Sequence, residues 1–376
     1  MGVKVTVGPP VLTINKSSTF LVTDLNGEID ARDSLGLFSA DTRFLSGYTL
    51  WVNGQRWERI SSACTSHDAV RICLTNPAVT TYTGDSAIDP DTLALSVYRV
   101  LDGGLHETLF LTNYGLRAAD VVLEIELRSD FADLFEVRSD RLHHRANIVT
   151  EWRPDVPELV TRYQRADYCC AIRYQVSGAD VHPSYANGRL VFPIHLRPGT
   201  SWCACGHIVL EFGGLVLQPR CWPVQGEDET AELRERWIGQ CTRIGSPVAD
   251  LNSAYSQSIE DMAALRLFEH DLAEDVWVPA AGVPWYVTLF GRDSLIAALQ
   301  NMPMHGRFAE GTLRTLAAHQ ARERDDWRDA QPGKIVHEVR HGELAHFGEV
   351  PHTSYYGTSP KWASSPWRTS CTILPG

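Results

Sequence analysis

YTLWVNGQRWERI, residues 48–60, places Asn53-Gly54 between two runs of apolar and aromatic residues. This dipeptide between such runs is the strongest short-range indication of a β-hairpin, because both residues tolerate the left-handed backbone of a tight turn. The pattern recurs further along, where residues 93–101 and 106–111 flank Asp102-Gly103-Gly104. The first half of the chain is therefore predicted to fold as antiparallel hairpins.

The predicted strands also show the alternation of a half-buried sheet. In VVLEIELRSD, Leu123 and Ile125 alternate with Glu124 and Glu126. Strands with one face on a core and one face in solvent alternate in this way. Short strands of this kind follow one another through the first half, with no convincing helix among them. We therefore predict an antiparallel β-sandwich over residues 1–218.

The composition changes at PRCWPVQGEDET, residues 219–230, where two prolines and a glycine precede an acidic run. This change predicts a linker over residues 219–231. The last residues of the chain, 359–376, are rich in Ser, Pro and Trp and have neither helical nor strand periodicity. We expect them to form an aperiodic tail.

Between the linker and the tail, the spacing of apolar residues becomes helical. One predicted helical face consists of Leu251, Tyr255, Ile259, Met262 and Leu265. Ser246-Pro247 is typical of a helix start, with serine as the N-cap and proline in the first turn. Residues 232–358 are predicted to form an α-helical domain, so the fold class is multidomain, β followed by α.

Charge and composition exclude several kinds of partner. The formal net charge is -12, and Lys and Arg form no cluster, so nucleic acid is not expected as a partner. The first 20 residues are interrupted by Gly8, Pro9 and Pro10 and predict neither a signal peptide nor a membrane span. We expect a cytoplasmic protein that does not bind membranes. The nine cysteines are not spaced as a disulfide framework and are expected to be free thiols.

His337, Glu338 and His341 spell H-E-x-x-H, the pattern of a zinc hydrolase when it lies on a helix. Pro332-Gly333 shortly before it and Gly342 directly after it disfavour a continuous helix. Neither a glycine nor a third histidine follows at the metzincin spacing. A zinc hydrolase is therefore a remote alternative, and we expect neither a metal nor a cofactor.

The segment AAGVPWYVTLFGRDSLIAAL, residues 280–299, points to a carbohydrate site. Trp285, Tyr286 and Phe290 precede the Arg292-Asp293 pair where an apolar-periodic helix begins. Aromatic faces pack on the C–H faces of sugar rings, and planar charged groups hydrogen-bond to neighbouring hydroxyls. In the alternative interpretation, Asp293 only caps the helix and Arg292 faces solvent. Composition alone leaves both open.

Several motifs together resemble the bacterial amylo-α-1,6-glucosidase and glycogen-debranching-like family. They are FLVTDLNGEI (20–29), GLFSADTRFLSGYTLWVNGQRW (36–57), SDFADLFEVR (129–138), GVPWYVTLFGRDS (282–294), PGKIVHEVRHGELA (332–345) and YYGT (355–358). The resemblance implies an amino-terminal β-sandwich followed by a (α/α)6 six-hairpin toroid, in which two carboxylates cleave glucosides at the mouth of the barrel. An α-glucan or oligosaccharide is then the expected ligand.

The same resemblance implies roles for particular residues. Arg292 and Asp293 are expected to hold the hydroxyls of a terminal glucose, with Lys334, His337 and Glu338 near the same pocket. Alternatively, Asp293 is itself the catalytic acid, with Glu338 or Glu343 as the base.

The resemblance ends after YYGT, where the family pattern continues with an apolar helical segment that is not found in this sequence. The catalytic carboxylates are therefore expected beyond the end of the chain, which leaves the toroid incomplete and the activity doubtful. A truncation or a shifted reading frame is the expected cause. The alternative is a non-catalytic, carbohydrate-binding or vestigial protein.

Overall fold

The computed structural model describes residues 9–32, 34–81, 87–139, 147–178, 183–219, 237–267 and 278–357. Antiparallel strands dominate these ranges. The strands are β1 (Leu12–Lys16), β2 (Thr19–Thr23), β3 (Gly36–Ser39), β4 (Thr42–Leu45), β5 (Gly47–Val52), β6 (Gln55–Arg56), β7 (Glu58–Cys64), β8 (Ala69–Thr75), β9 (Val79–Thr80), β10 (Ala87–Ile88), β11 (Leu93–Leu101), β12 (Leu105–Asn113), β13 (Ala119–Arg128), β14 (Ala132–Asp133), β15 (Ile148–Arg153), β16 (Glu158–Arg165), β17 (Tyr168–Ser177), β18 (Ser184–Ala186), β19 (Arg189–Leu196), β20 (Ser201–Phe212), β21 (Leu215–Leu217), β22 (Arg266–Leu267) and β23 (Val278–Pro279).

Helices within the described ranges include α1 (Leu134–Ser139), α2 (Ala249–Ala264), α3 (Gly291–Asn301), α4 (Arg307–Ala318) and α5 (Glu343–His346), with a 3-10 turn at Pro351–Thr353. Residues 237–240 are helical as well. None of these helices is both long and apolar enough to cross a membrane.

Three large sheets and the two-stranded β9-β10 sheet make up the described part of the first half. A nine-stranded sheet has the order β15-β16-β17-β20-β12-β11-β8-β7, with β21 paired to β20. Two five-stranded sheets have the orders β1-β2-β3-β4-β14 and β18-β19-β13-β5-β6. Leu21 of β2, Val97 of β11 and Leu123 of β13 come from different sheets, are at most 1% exposed and belong to one core. The antiparallel β-sandwich predicted from the sequence is confirmed.

The hairpin at Asn53-Gly54 forms as predicted, with one difference. Both residues have left-handed backbones, φ 46° and φ 78°, as the turn requires. The second arm, β6, ends after two residues. Trp57 is then buried, and β7 joins the edge of the nine-stranded sheet. The apolar run after the turn therefore crosses from one sheet to another and does not extend the hairpin.

Helix α1 is a feature that the sequence analysis missed, since no helix was predicted in the first half. Its start is a capping box: the backbone N–H of Phe135 donates to Asp133 Oδ1 (2.9 Å), and that of Asp133 donates to Glu136 Oε2 (2.9 Å). Asp133-x-x-Glu136 is a sequence pattern that predicts such a box. This helix matters below because it carries residues of the candidate site.

The described part of the second half is less helical than expected. Helix α2 has Val248 as its N-cap, two residues after the predicted Ser246, whose hydroxyl accepts from the Val248 N–H (3.1 Å). Ile259 is buried, but Leu251 on the predicted inner face is 53% exposed. Long irregular stretches and the β22-β23 pair separate the helices of the described part. The toroid is therefore not confirmed.

Two predicted boundaries fall largely outside the described residues. The linker at residues 219–231 is described only at Pro219, and the tail at residues 359–376 is not described at all. The seven cysteines of the described ranges are free thiols, of which Cys170 and Cys241 are buried while Cys64 and Cys169 are exposed.

The centre of the sandwich contains a buried ion pair. Arg99 and Glu107 are 1% and 0% exposed, and Arg99 Nε donates to Glu107 Oε2 at 2.7 Å. The hydroxyls of Tyr48 and Tyr174 donate to Glu107 Oε1 at 2.8 and 2.9 Å. Arg99 Nη1 donates to the backbone oxygen of Gly27 (2.6 Å). This network links all of its members to one carboxylate, so the loss of that charge leaves a buried cation uncompensated.

We expect Glu107→Gln to lower the free energy of unfolding by about 3–5 kcal/mol, because Arg99 then stays charged in the core without its partner. Urea unfolding followed by circular dichroism measures the change. Arg32→Ala, which removes a solvent-exposed ion pair with Asp30, is the control and should leave the midpoint unchanged. Equal midpoints for both variants would contradict the assigned role of Glu107.

Candidate functional site at the sandwich junction

Residues 336–345, here called the strap, run across one end of the sandwich and are anchored there. Arg340 Nη1 donates to Asp41 Oδ1 (2.9 Å), and the backbone N–H of His341 donates to Asp41 Oδ2 (2.9 Å). Asp41 lies in the turn between β3 and β4, where Ala40 and Asp41 both have left-handed backbones, φ 46° and φ 63°. Arg340 is 3% and Asp41 7% exposed, so this ion pair is buried between the sandwich and the strap.

Asp133 forms the second anchor. Its Oδ2 accepts from the backbone N–H of Leu344 (3.1 Å), while its Oδ1 caps α1. Gly342 lies between the two anchors, where a Cβ atom would stand 2.2 Å from Asp133 Oδ2 and 3.2 Å from Asp41 Cβ. Only glycine leaves room for both carboxylates at this position.

Glu343 forms the third anchor. Its Oε1 accepts from the Tyr163 hydroxyl (2.6 Å) and from Arg165 Nη1 (3.2 Å), both on β16. Glu343 is 3% exposed. Glu343, one of the two residues considered as a catalytic base, therefore holds the strap against β16.

Glu338 lies on the strap and faces the helical part of the chain. Its Oε1 pairs with His352 Nε2 (2.9 Å) and its Oε2 with Arg340 Nη2 (3.4 Å). Burial raises the pKa of Glu338, but the hydrogen bond to His352 and the charge of Arg340 outweigh it and leave the pKa below its usual value. Glu338 is therefore ionised at neutral pH and can accept hydrogen bonds, but it is not suited to donate a proton.

Six rings form a connected aromatic row beside Glu338. In order along the row they are Tyr286, Phe290, His337, Tyr355, His352 and Phe135, with neighbouring centroids 5.7, 5.9, 6.2, 5.1 and 5.0 Å apart. Backbone bridges from Glu338 to Phe290 and to Tyr355 hold the segments together. The row ends on α1 of the sandwich, so both halves of the chain contribute to it.

Arg292 and Asp293 lie in the first turn of α3, next to the row. Arg292 Nε is 3.8 Å from Asp293 Oδ2, and the two side chains are 48% and 41% exposed. They form a loose, half-exposed pair. The cap of α3 is Phe290 and makes no side-chain hydrogen bond, so Asp293 is not the N-cap considered as the alternative. Both charged groups remain accessible to a ligand.

The other predicted residues lie further from the centre of the row. Trp285 contributes its backbone oxygen to Arg340 Nη2 (3.1 Å), and its ring packs against the sandwich core. Lys334 Nζ donates to the backbone oxygen of Asp329, whose carboxylate accepts from the Tyr355 hydroxyl (2.9 Å). Trp285 therefore supports the strap, and Lys334 is linked to the row through Asp329.

The zinc alternative lacks its structural requirement. His337, Glu338 and His341 lie on the non-helical part of the strap, and α5 begins only at Glu343. No group of three or more His, Cys, Asp or Glu side chains within the described ranges is arranged to hold a metal ion.

A cavity of about 1220 Å³ lies on the other side of the strap, between the sandwich and the helical part. Tyr168 and Phe212 of the sandwich and His341 and His346 of the second half are among its lining residues. None of the eight residues predicted to bind sugar lines it. The cavity is therefore lined by residues other than those predicted to bind sugar.

Comparison with known proteins identifies the first half of the chain. Residues 14–207 match the family model of the N-terminal domain of (some) glycogen debranching enzymes. The chain belongs to this family. The family is carbohydrate-active, as the resemblance implied. The sequence matches no curated protein.

One solved structure has a fold similar to that of this debranching-enzyme family member. A protein assigned as a kojibiose phosphorylase from the human microbiome superposes with a TM-score of 0.51 and 7% identity, covering 82% of this chain and 46% of that chain. At this identity the likeness shows the fold alone. The chain thus spans about half the length of that protein. A protein assigned as an aldose 1-epimerase from Escherichia coli K12 gives a TM-score of 0.30 with 12% identity, covering 55% of this chain and 100% of that chain.

The segments that suggested the family meet at the junction. Asp41 lies in residues 36–57, Asp133 in residues 129–138 and Arg340 in residues 332–345. The sequence analysis did not recognise these three as contact residues. The local sequence indicates the turn around Asp41 and the capping box at Asp133. Nothing in the sequence indicates that these residues contact the strap.

The Asp133 anchor should depend on pH. Burial raises the pKa of Asp133 from 3.8 to about 7, aided by Asp41 and Glu136 and opposed by the N–H groups of Phe135 and Leu344. The pKa of Asp133 is higher in the folded protein than in the unfolded chain. The contribution of Asp133 to the free energy of unfolding is therefore complete below about pH 4 and is lost as the pH rises to about 7.

We therefore expect the stability of the wild type relative to Asp133→Asn to decrease between pH 5 and pH 7 and to level off by pH 8. The total change should be on the order of 4 kcal/mol between acidic and alkaline limits. Urea midpoints of both proteins at each pH measure it. A stability difference that does not vary with pH would contradict the assignment.

Proposed function

We propose that the chain binds the terminal glucose units of an α-glucan at the aromatic row. The observation that carries this proposal is the arrangement of half-exposed Arg292 and Asp293, ionised Glu338 and a row of rings at one junction. Rings can pack on the C–H faces of glucose, while the charged groups hydrogen-bond to its hydroxyls. Membership in the debranching-enzyme family supports a glucan as the ligand.

Each group has a distinct role in this proposal. Tyr286 is 40% exposed, and Arg138 of α1 lies over its ring at 5.7 Å, which suits it as an outer stacking platform. Asp293 and Arg292 bind neighbouring hydroxyls as acceptor and donor. Glu338 is ionised but only 8% exposed, and it borders the site by holding His352 and Arg340 in place. His337 and Lys334 border the same site.

For the complete enzyme we propose a glycoside hydrolase of the amylo-α-1,6-glucosidase type. Helices α2 to α4 would then be the first part of a (α/α)6 toroid within residues 232–358, following a sandwich of residues 1–218. Hydrolysis with inversion needs an acid and a base about 6.5–9.5 Å apart. Glu338 is ionised and Glu343 is buried against Tyr163, so we propose that the catalytic pair lies outside the described residues.

A non-catalytic, carbohydrate-binding role is the second candidate. The observation that favours it is that Glu338 and Glu343 are both paired with protein groups. Of the three carboxyls considered for catalysis, only Asp293 is half-exposed. The two candidates share the ligand and differ in turnover.

We expect maltoheptaose to bind the chain and Asp293→Ala to weaken this binding at least about tenfold, since a hydrogen bond to a charged group contributes about 1.5–3 kcal/mol. Tyr286→Ala should weaken it by about the same factor through lost stacking. Isothermal titration calorimetry measures both. Asp326→Ala and Tyr98→Ala are the controls: Asp326 is an exposed aspartate paired with Arg324, and Tyr98 is 40% exposed, like Tyr286.

Glucose release from a branched limit dextrin separates the two candidates. Release that Asp293→Ala abolishes would assign the catalytic pair to this chain and favour the hydrolase. Binding without release would favour the carbohydrate-binding role. No binding of maltoheptaose by the folded wild type, or equal binding by all four variants, would overturn the proposed site.

A further inference from the structure

Two histidines face each other across neighbouring strands of the nine-stranded sheet, far along the chain from the strap. His106 on β12 and His207 on β20 are directly paired in the antiparallel register. Their Nδ1 atoms are 3.4 Å apart and their ring centroids 5.0 Å apart. His106 is 2% exposed and His207 is half-buried, so the pair lies just below the surface of the sheet.

The other nitrogen of each ring is held by a hydroxyl. His106 Nε2 is 3.0 Å from Thr108 Oγ1, and His207 Nε2 is 2.9 Å from Ser177 Oγ on β17. An Nε2–H that donates to a hydroxyl leaves a lone pair on Nδ1. This is how hydrogen-bonding partners orient histidines that bind metal ions. Residues of three strands thus hold the two rings with their Nδ1 atoms next to each other.

The separation of the two nitrogens suits a shared ion better than a direct bond. Two imidazole nitrogens bound to one tetrahedral Zn²⁺ at about 2.0–2.1 Å stand about 3.3–3.4 Å apart. A hydrogen bond from an N–H group usually spans about 2.7–3.2 Å. The observed 3.4 Å matches the first geometry and is long for the second.

We propose that His106 and His207 chelate a divalent first-row metal ion through their Nδ1 atoms. Imidazole ligands favour ions of intermediate softness such as Zn²⁺, Ni²⁺ and Cu²⁺. Water completes the coordination shell, and in the bound state both rings carry their proton on Nε2, toward Thr108 and Ser177. The ion links β12 to β20 and stabilises the centre of the nine-stranded sheet. This site is independent of the proposed glucan site.

Calorimetric titration of the untagged full chain with Zn²⁺ tests the proposal. We expect one Zn²⁺ per chain at the strongest site, and affinity at least tenfold lower in His207→Gln. Ser177→Ala should bind about tenfold more weakly, because it removes the hydroxyl that orients His207. His195→Gln is the control, since His195 lies on β19 and pairs with Asp120 (2.7 Å). Equal Zn²⁺ affinity of the wild type, His207→Gln and His195→Gln would overturn the proposal.

A second measurement uses the wild type alone, in case a variant does not fold. With one equivalent of Cu²⁺ as the probe, the electron paramagnetic resonance spectrum should show coupling to two imidazole nitrogens. Zn²⁺ should also raise the melting temperature of the wild type, by mass action on the folded state. A Cu²⁺ spectrum without coupling to two nitrogens would show that the pair is only hydrogen-bonded.

Discussion

Arg340 lies at the junction of the two halves of the chain and is only 3% exposed. Its buried guanidinium charge is unfavourable unless an opposite charge pairs with it. Asp41 supplies the pairing charge from a hairpin turn of the sandwich, 299 residues earlier in the chain. Without Arg340, Asp41 would be a buried carboxylate held by the His341 N–H. Without Asp41, the ion-pair partner left to Arg340 would be Glu338 at 3.4 Å. The two halves of the chain therefore stabilise each other through this contact, and the segment between Glu338 and Glu343 has one defined position.

The aromatic row depends on that position. Glu338 shares Arg340 with Asp41, and the backbone of Glu338 bridges to Phe290 and Tyr355. A movement of the strap away from the sandwich would separate these rings from α1. In this molecule the sandwich is thus part of the candidate site and not merely a neighbouring domain. That arrangement explains why the family motifs of the first half and of the strap lie together in space.

Much of the sandwich could be predicted because its determinants are local. Asn53-Gly54 specifies a turn through two left-handed residues, and the alternation around Leu123 specifies which face is buried. The junction could not be predicted, since nothing near Asp41 or Arg340 in sequence indicates the other. Helical spacing also predicted that Leu251 is buried, but it is 53% exposed. Periodicity shows that a helix face is apolar but not which neighbour covers it. Trp285 was predicted to bind sugar because it is aromatic, and composition could not indicate that it also packs on the sandwich core.

Gly342→Ala tests most directly whether the sandwich holds the strap, because a Cβ there meets Asp133 Oδ2 at 2.2 Å while the backbone, φ -67°, accepts alanine without strain. Gly306→Ala is the matched control, with open space around its Cβ. Hydrogen exchange followed by mass spectrometry reports on residues 336–347. The account predicts faster exchange of this segment in Gly342→Ala alone, with exchange in the sandwich strands unchanged. Exchange of the segment as slow as in the wild type would contradict the account.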